Sequence, residues 1–195
     1  MLSAFINLPY DRRYEKVYLA YIAGIVGYGM LPIVGVHDGS SRPQLDQVYE
    51  RLARTQFSFH DLSWMSLTAK SPRTPRLNMA FELGLAVALG RTRGADHRWF
   101  VFDRIAHRLE KALSDLDGVE VCLYDGTPDG ILRAFRKILV RKRQPTLAHL
   151  RAIYRDIEAI ARTIKQEPAK TLFARGPFVD LVYVASAAAD KYVRP

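Results

Sequence analysis

The segment Asn78-Met-Ala-Phe-Glu82-Leu-Gly84-Leu-Ala86 lies in the stretch 60–89, around which we expect the chain to be organised. Glu82 is the only ionisable residue between Asn78 and Arg91, and the residues around it leave a helix no polar face. A helix that is apolar on all sides is typically buried. A carboxylate on such a helix loses hydration unless it is paired or faces a cleft. The pattern alone therefore leaves a catalytic acid and a structural ion pair as equal alternatives.

Composition indicates a globular chain built around one main domain. The 195 residues are 49% apolar, which is enough for a hydrophobic core. A single cysteine, Cys122, excludes an internal disulfide, and the five histidines are not spaced as metal ligands, so we predict no metal. The sequence has no signal-peptide pattern and no uncharged apolar run of about 18 residues, which predicts a cytoplasmic protein without a membrane span.

The net charge of +9 is concentrated in one region. Residues 131–170 hold eleven basic and three acidic residues, whereas residues 1–130 hold fifteen of each. We interpret the surplus as solvated helix faces. A surface that attracts nucleic acid, membrane or an acidic protein is the alternative.

Hydrophobic spacing and turn-forming residues predict that strands and helices alternate along residues 1–143. The predicted strands are 3–7, 31–36, 57–63, 98–103 and 119–124, and the predicted helices are 14–26, 44–55, 78 to about 90 or 94, and 129–141. Segments 37–43 and 65–76 are predicted loops. This order predicts an α/β fold with a parallel sheet and helices on both faces.

The pattern changes after Gln144-Pro145. Helices are predicted over 146–166 and 178–192, each with an apolar stripe along one face. We expect them to form a hairpin that packs on the main domain or on a second copy of the chain. The predicted organisation is therefore a domain over 1–143 and a helical extension over 144–195.

Polar residues follow three of the predicted strands at their C-terminal ends, where parallel sheets bind ligands. They are Asn7, Tyr10 and Asp11 after the first strand, Asp38 and Arg42 after the second, and Asp61 and Ser63 after the third. Asn78 and Glu82 begin the next helix, so the set converges on one crevice. This convergence favours a functional role for Glu82, although capping is an equal interpretation for Asp11, Asp61 and Ser63.

The motif around Glu82, joined to His60-Asp61-Leu-Ser63, resembles the TIR-like nucleotide-binding proteins of bacteria and the broader TIR and nucleoside 2-deoxyribosyltransferase superfamily. The likeness runs from about residue 3 to residue 140. It implies a doubly wound, flavodoxin-like sheet of five parallel strands and the cleavage or exchange of an N-glycosidic bond. In TIR enzymes NAD is the substrate and not a cofactor. Many bacterial members act in anti-phage defence and are activated by assembly or by a nucleotide signal.

The resemblance also implies roles for the polar residues. Glu82 is the predicted catalytic residue, because a carboxylate stabilises the positive charge that develops on the ribose when the bond breaks. Asn78 would orient that carboxylate or a ribose hydroxyl. The other predicted substrate-binding residues are Asn7, Leu8 and Tyr10 at the base end, Asp61 and Ser63 at the sugar or phosphate side, Arg42 at a phosphate, and Asp11 and Asp38.

Three functions are open on the sequence. The leading hypothesis is a NAD-cleaving enzyme, and the alternatives are base exchange on deoxynucleosides and a non-catalytic module for nucleotide sensing or assembly. The expected partners are a nucleotide substrate and either further copies of the chain or an activator protein, bound through the C-terminal helices. Nucleic acid binding through residues 131–170 is a weaker alternative.

Overall fold

The computed structural model describes residues 1–35, 41–65, 77–167 and 171–193. Within these ranges the chain forms five strands and seven α-helices. The strands are β1 (Ser3–Asn7), β2 (Leu31–Val34), β3 (Phe57–Asp61), β4 (Arg98–Asp103) and β5 (Val121–Leu123). The helices are α1 (Glu15–Gly27), α2 (Gln44–Ala53), α3 (Asn78–Arg93), α4 (Arg108–Ala112), α5 (Pro128–Ile138), α6 (Leu147–Ile164) and α7 (Arg175–Tyr192).

The five strands form one parallel sheet in the order β2-β1-β3-β4-β5, which confirms the predicted doubly wound α/β fold. The chain leaves β1 in one direction, towards β2, and leaves β3 in the other, towards β4 and β5. The switch point therefore lies between β1 and β3, whose last pair in register is Asn7 and His60. Ligands of such sheets bind beyond the carboxyl ends of the strands at this point.

Alternate residues of the strands face two different helical layers. On β1, Ile6 packs in the core that α1 and α5 share, while Phe5 packs with residues of α2 and α3 on the opposite face. The buried aromatic residues of β3 and β4 follow the same alternation, since Phe59 and Phe102 contact Phe135 of α5. A period of two with both faces covered is the arrangement expected of a parallel sheet.

Helix α1 is the most enclosed helix of the described fold, because every residue in it except Lys16 is buried. The sheet covers one side, and the hairpin of α6 and α7 covers the other. The approach is so close that a Cβ on Gly27 would overlap with Leu150 Cδ2. The predicted C-terminal hairpin therefore packs on the main domain of its own chain and shares its core.

The prediction that α3 is buried on all sides is wrong. Met79, Leu83 and Ala86 are buried, but Phe81 is 56% exposed. Helix α3 lies on the outer surface of the sheet and buries one face only. The helix that is buried all round is α1, because a further helical layer lies outside it.

Several element boundaries differ from the predicted ones. Helix α5 ends at Ile138 instead of residue 141, and strand β2 ends at Val34 instead of residue 36. Helix α7 begins three residues early, at Arg175, because Gly176 and Pro177 lie in its first turn, where backbone amides need no partner within the helix. Two loops were predicted, over 37–43 and 65–76. Most of each lies outside the described residues, which omit 36–40 and 66–76.

Candidate functional site

A cavity of about 340 Å³ opens at the carboxyl end of β1, on the side of the sheet covered by α2 and α3. Its volume is within the range of small-ligand sites. Three segments that follow strands meet here: the turn after β1, the end of β2 with the start of α2, and the first turns of α3. The described lining residues are Asn7, Leu8, Pro9, Tyr10, Gly35, Gln44, Asn78, Met79 and Glu82.

Glu82 lies in the second turn of α3 and is half-buried at the wall of this cavity. Its carboxylate forms no hydrogen bond or ion pair with any other residue that the structure describes. Burial away from water raises the pKa of Glu82 from 4.5 to about 7. The side chain is therefore an unpaired acid that can be ionised or protonated near neutral pH, which is a property of catalytic carboxyl groups.

Asn7 fixes the start of α3 relative to the sheet. Its amide nitrogen donates to the carbonyl oxygen of Met79, at 2.9 Å, and lies 2.9 Å from Nδ1 of His60. His60 is fully buried beneath the first turns of α3, and burial lowers its pKa to about 3, so the imidazole is neutral. These contacts hold the helix that carries Glu82 against the end of β1.

Tyr10 forms the outer edge of the cavity. The residue is 42% exposed, but its hydroxyl points inward to a backbone hydrogen bond with Gly35. Burial of that hydroxyl, and then the nearby charge of Glu82, raise the pKa of the phenol well above its ordinary value. The ring itself contacts Phe173, which precedes α7, with the two centroids 5.2 Å apart. The C-terminal hairpin therefore supports one side of the cavity.

Gln44 and Asn78 complete the polar lining of the described cavity. Gln44 is the first residue of α2, and its side-chain amide nitrogen donates to the carbonyl oxygen of Gly35 at 2.6 Å. Asn78 is the first residue of α3, one turn before Glu82, and its side chain is exposed at the opening. Its position is compatible with the predicted role of orienting the carboxylate or a ribose hydroxyl.

The predicted binding residues Asp61 and Ser63 do not line this cavity in the described structure. Asp61 is fully buried and accepts hydrogen bonds from the hydroxyls of Tyr124 and Tyr21, at 2.8 and 3.2 Å, and from the Ser63 backbone at 2.9 Å. Ser63 Oγ donates to Asp61 and is also hydrogen-bonded to Tyr14. Burial raises the pKa of Asp61, while these hydrogen bonds oppose the rise. This network ties β3 and the residues that follow it to α1 and to the end of β5.

The remaining predicted binding residues are engaged elsewhere or lie outside the described residues. Asp11 caps the short helical turn before α1 and pairs with Arg13, with both contacts at 3.0 Å, as the capping interpretation expected. Arg42 pairs with Glu50 on the surface of α2. Asp38 lies in 36–40 and is not described. The cavity thus unites Asn7, Leu8, Tyr10, Asn78 and Glu82 from the predicted set.

Three contributors to the site were not predicted from the sequence: His60 as a support for Asn7, Gln44 in the lining, and Phe173 behind Tyr10. A buried histidine at an inward-facing strand position gives a weak signal, because core histidines look the same. Phe173 lies over 160 positions from Tyr10, and no spacing rule joins them.

In the described ranges, no group of three or more His, Cys, Asp or Glu side chains is placed to hold a metal ion. No helix in those ranges is long and apolar enough to cross a bilayer. Comparison of the whole chain with known protein families and with curated proteins finds no match.

Proposed function

We propose that the protein is a TIR-like enzyme that cleaves the N-glycosidic bond of NAD or a related nucleotide, with Glu82 as its catalytic residue. The observation that supports this most is the unpaired carboxyl group of Glu82 in a cavity at the carboxyl end of β1, next to the switch point. A structural acid in this position would have a cationic or hydrogen-bonding partner, and Glu82 has none among the described residues. An unpaired acid that lines a cavity is explained when a bound ligand supplies the missing partner.

The chemistry requires one carboxylate when the leaving group is a cationic base. In NAD the bond from ribose C1′ to the pyridinium nitrogen breaks, and its electron pair returns to the ring, which leaves as neutral nicotinamide. The positive charge that develops at C1′ is stabilised by the ionised carboxylate. Water then adds its oxygen to C1′ and releases a proton. No acid is needed to protonate the leaving group, which fits a described lining that contains one carboxyl group, that of Glu82.

Transfer of a deoxyribose between neutral bases makes a further demand, since a neutral base is a poor leaving group unless it is protonated. The described lining offers Glu82 as its one carboxylic acid for both tasks, so we favour the cationic substrate. We extend the proposal, on the resemblance alone, to a role in anti-phage defence with activation by assembly or by a nucleotide signal. Such assembly would use further copies of the chain or an activator protein.

The test is release of nicotinamide from NAD by the purified chain, measured across a wide range of protein concentration so that assembly can occur. Glu82→Gln is compared with Glu120→Gln, which removes a carboxylate from the exposed surface of the sheet edge. We expect release by the wild type and by Glu120→Gln, and loss of release of about a thousandfold or more in Glu82→Gln. Equal release by both variants would remove Glu82 from the mechanism.

Two further measurements separate the alternatives. Exchange of bases on a deoxynucleoside with NAD left intact would favour the transferase. Thermal stabilisation by NAD without turnover, lost in Glu82→Gln, would favour a nucleotide-sensing module.

A further inference from the structure

The orientation of the Asn7 side chain is fixed by what it faces. Asn7 is 3% exposed, and one end of its amide lies 2.9 Å from the carbonyl oxygen of Met79. A carbonyl oxygen accepts hydrogen bonds and cannot donate them, so the atom facing it is the amide nitrogen. The same nitrogen lies 2.9 Å from Nδ1 of His60, and its second hydrogen points there.

His60 therefore acts as an acceptor through Nδ1, and its proton is on Nε2. Nε2 is buried without a hydrogen-bond partner in the described structure. An unpaired buried N–H costs about 1–3 kcal/mol. The fold retains this histidine in spite of that cost, and the contact it gains is the one that holds the Asn7 amide.

With both hydrogens of its amide used, Asn7 has its oxygen left over. The oxygen, Oδ1, has no hydrogen-bond partner among the described residues. It is also not one of their fully buried atoms without a partner, so part of its surface is exposed to open space. The open space beside Asn7 is the cavity that it lines. Asn7 thus presents an acceptor to a ligand, and not a donor.

Two further side chains of the described lining also offer acceptors. One hydrogen of the Gln44 amide nitrogen is donated to the carbonyl oxygen of Gly35, and the Gln44 oxygen is an acceptor. The Glu82 carboxylate accepts when it is ionised. No Lys, Arg or His occurs among the described lining residues. N–H and O–H groups of a ligand are the complement of the acceptors on Asn7, Gln44 and the ionised Glu82.

We propose that Asn7, held by His60, is a specificity residue that accepts a hydrogen bond from an N–H or O–H group of the ligand. The cavity then takes the donor-bearing nucleoside end of a nucleotide. This inference rests on the proposed function for the ligand class. The donor has two sources, a carboxamide or amino group on the base and a hydroxyl on the sugar.

The experiment measures binding without turnover, in the Glu82→Gln protein, by titration calorimetry. The probes are nicotinamide riboside, nicotinic acid riboside, which lacks the amide donor, and the 2′- and 3′-deoxy forms of nicotinamide riboside, each of which lacks one hydroxyl. Adding Asn7→Leu removes the acceptor, and adding His60→Phe removes its support at similar volume. Adding Gln166→Leu is the control, since Gln166 is an exposed amide residue after α6 and is not among the described lining residues.

We expect nicotinamide riboside to bind about tenfold or more tightly than at least one of the three analogues, and that analogue identifies the donor. Asn7→Leu should reduce this ratio to less than about twofold, His60→Phe should reduce it in part, and Gln166→Leu should leave it unchanged. Melting temperatures establish that each variant folds. Should Asn7→Leu fail to fold, the comparison with His60→Phe decides.

A ratio that is the same in the Asn7 and His60 variants as in their parent would overturn the inference, and so would the absence of saturable binding of every probe. These outcomes are distinct from failure of the proposed function, which is read from turnover of NAD by the wild type. Tight, Asn7-dependent binding together with no cleavage would retain the specificity residue and remove the enzyme.

Discussion

The ring of Tyr10 lies 5.2 Å, centroid to centroid, from the ring of Phe173, and this contact joins the candidate site to the C-terminal hairpin. Phe173 also lies 5.0 Å from Tyr18 of α1, so one buried aromatic residue spans the edge of the cavity and the enclosed helix. The wall of the cavity thus depends on residues from both ends of the chain.

This contact predicts that Phe173→Leu weakens substrate binding. Tyr10 loses the flat surface that supports its ring, so we expect KM to rise about three- to tenfold with a smaller change in kcat, and the free energy of unfolding to fall by about 1 kcal/mol. Steady-state kinetics and chemical denaturation measure the two effects. Phe178→Leu is the control, because Phe178 lies near Tyr18 on the same hairpin. A similar rise of KM in both variants would contradict a specific role for Tyr10.

The raised pKa of Glu82 predicts a dependence of stability on pH. The folded protein holds the Glu82 proton more tightly than the unfolded chain, with a pKa of about 7 against 4.5, so this residue makes the wild type less stable as pH rises from 4.5 to 7. Glu82→Gln removes the effect. We expect the variant to match the wild type at pH 4 and to exceed its free energy of unfolding by about 1–3 kcal/mol at pH 8, where partial exposure screens the charge.

Urea denaturation at the two pH values measures this difference. Glu120→Gln, at an exposed site, is expected to change stability little at either pH. A loss of stability in Glu82→Gln at pH 8 would instead mean that the carboxylate stabilises the fold through a partner.

The same pKa predicts the pH profile of catalysis. A carboxylate that stabilises positive charge must be ionised, so kcat/KM for NAD should rise with pH and level off above about 7. Below that pH it should fall about tenfold per unit. Initial rates between pH 5 and pH 9 in buffers of constant ionic strength provide the profile. A decline through pH 7 would indicate that the protonated acid is the active form.

The hydrogen bonds to Asp61 predict that a substitution there lowers the stability of the fold and leaves substrate binding unchanged. Tyr124→Phe removes a hydroxyl that donates to the buried carboxylate of Asp61 at 2.8 Å. We expect the free energy of unfolding to fall by about 1–2 kcal/mol, with KM unchanged. Tyr154→Phe is the matched control, because its hydroxyl donates to Glu158 at 3.4 Å on a half-exposed surface and should matter less. A changed KM in Tyr124→Phe at unaltered stability would restore a binding role for Asp61.

The sequence predicts the fold well because its signals are local. Strand β1 ends at Asn7 as predicted, since Pro9 cannot continue a central strand, and the apolar run 99–102 of β4 is typical of a strand buried on both faces. The wrong inference concerned α3. An apolar composition shows that a helix can be buried, but the number of layers that cover it depends on contacts between distant segments.

The candidate site is predicted in part for the same reason. Residues next to strand ends, such as Asn7 and Tyr10, are brought together by the parallel topology alone. Asp61 is also at a strand end, as the last residue of β3, but its side chain faces α1. In sequence, such a residue is indistinguishable from one that faces the cavity. The support of Asn7 by His60 depends on which ring nitrogen faces the amide, and no sequence pattern carries that information.

The enclosure of α1 has a consequence for how this chain is divided. The sequence predicts a domain boundary at residue 143, but a polypeptide cut there would leave the outer side of α1, with Gly27 and its neighbours, open to water. The predicted domain 1–143 is therefore shorter than the unit that folds. The last two helices are not an interchangeable appendage, and grafting them onto another parallel-sheet domain would require a glycine in its first helix at the position of Gly27.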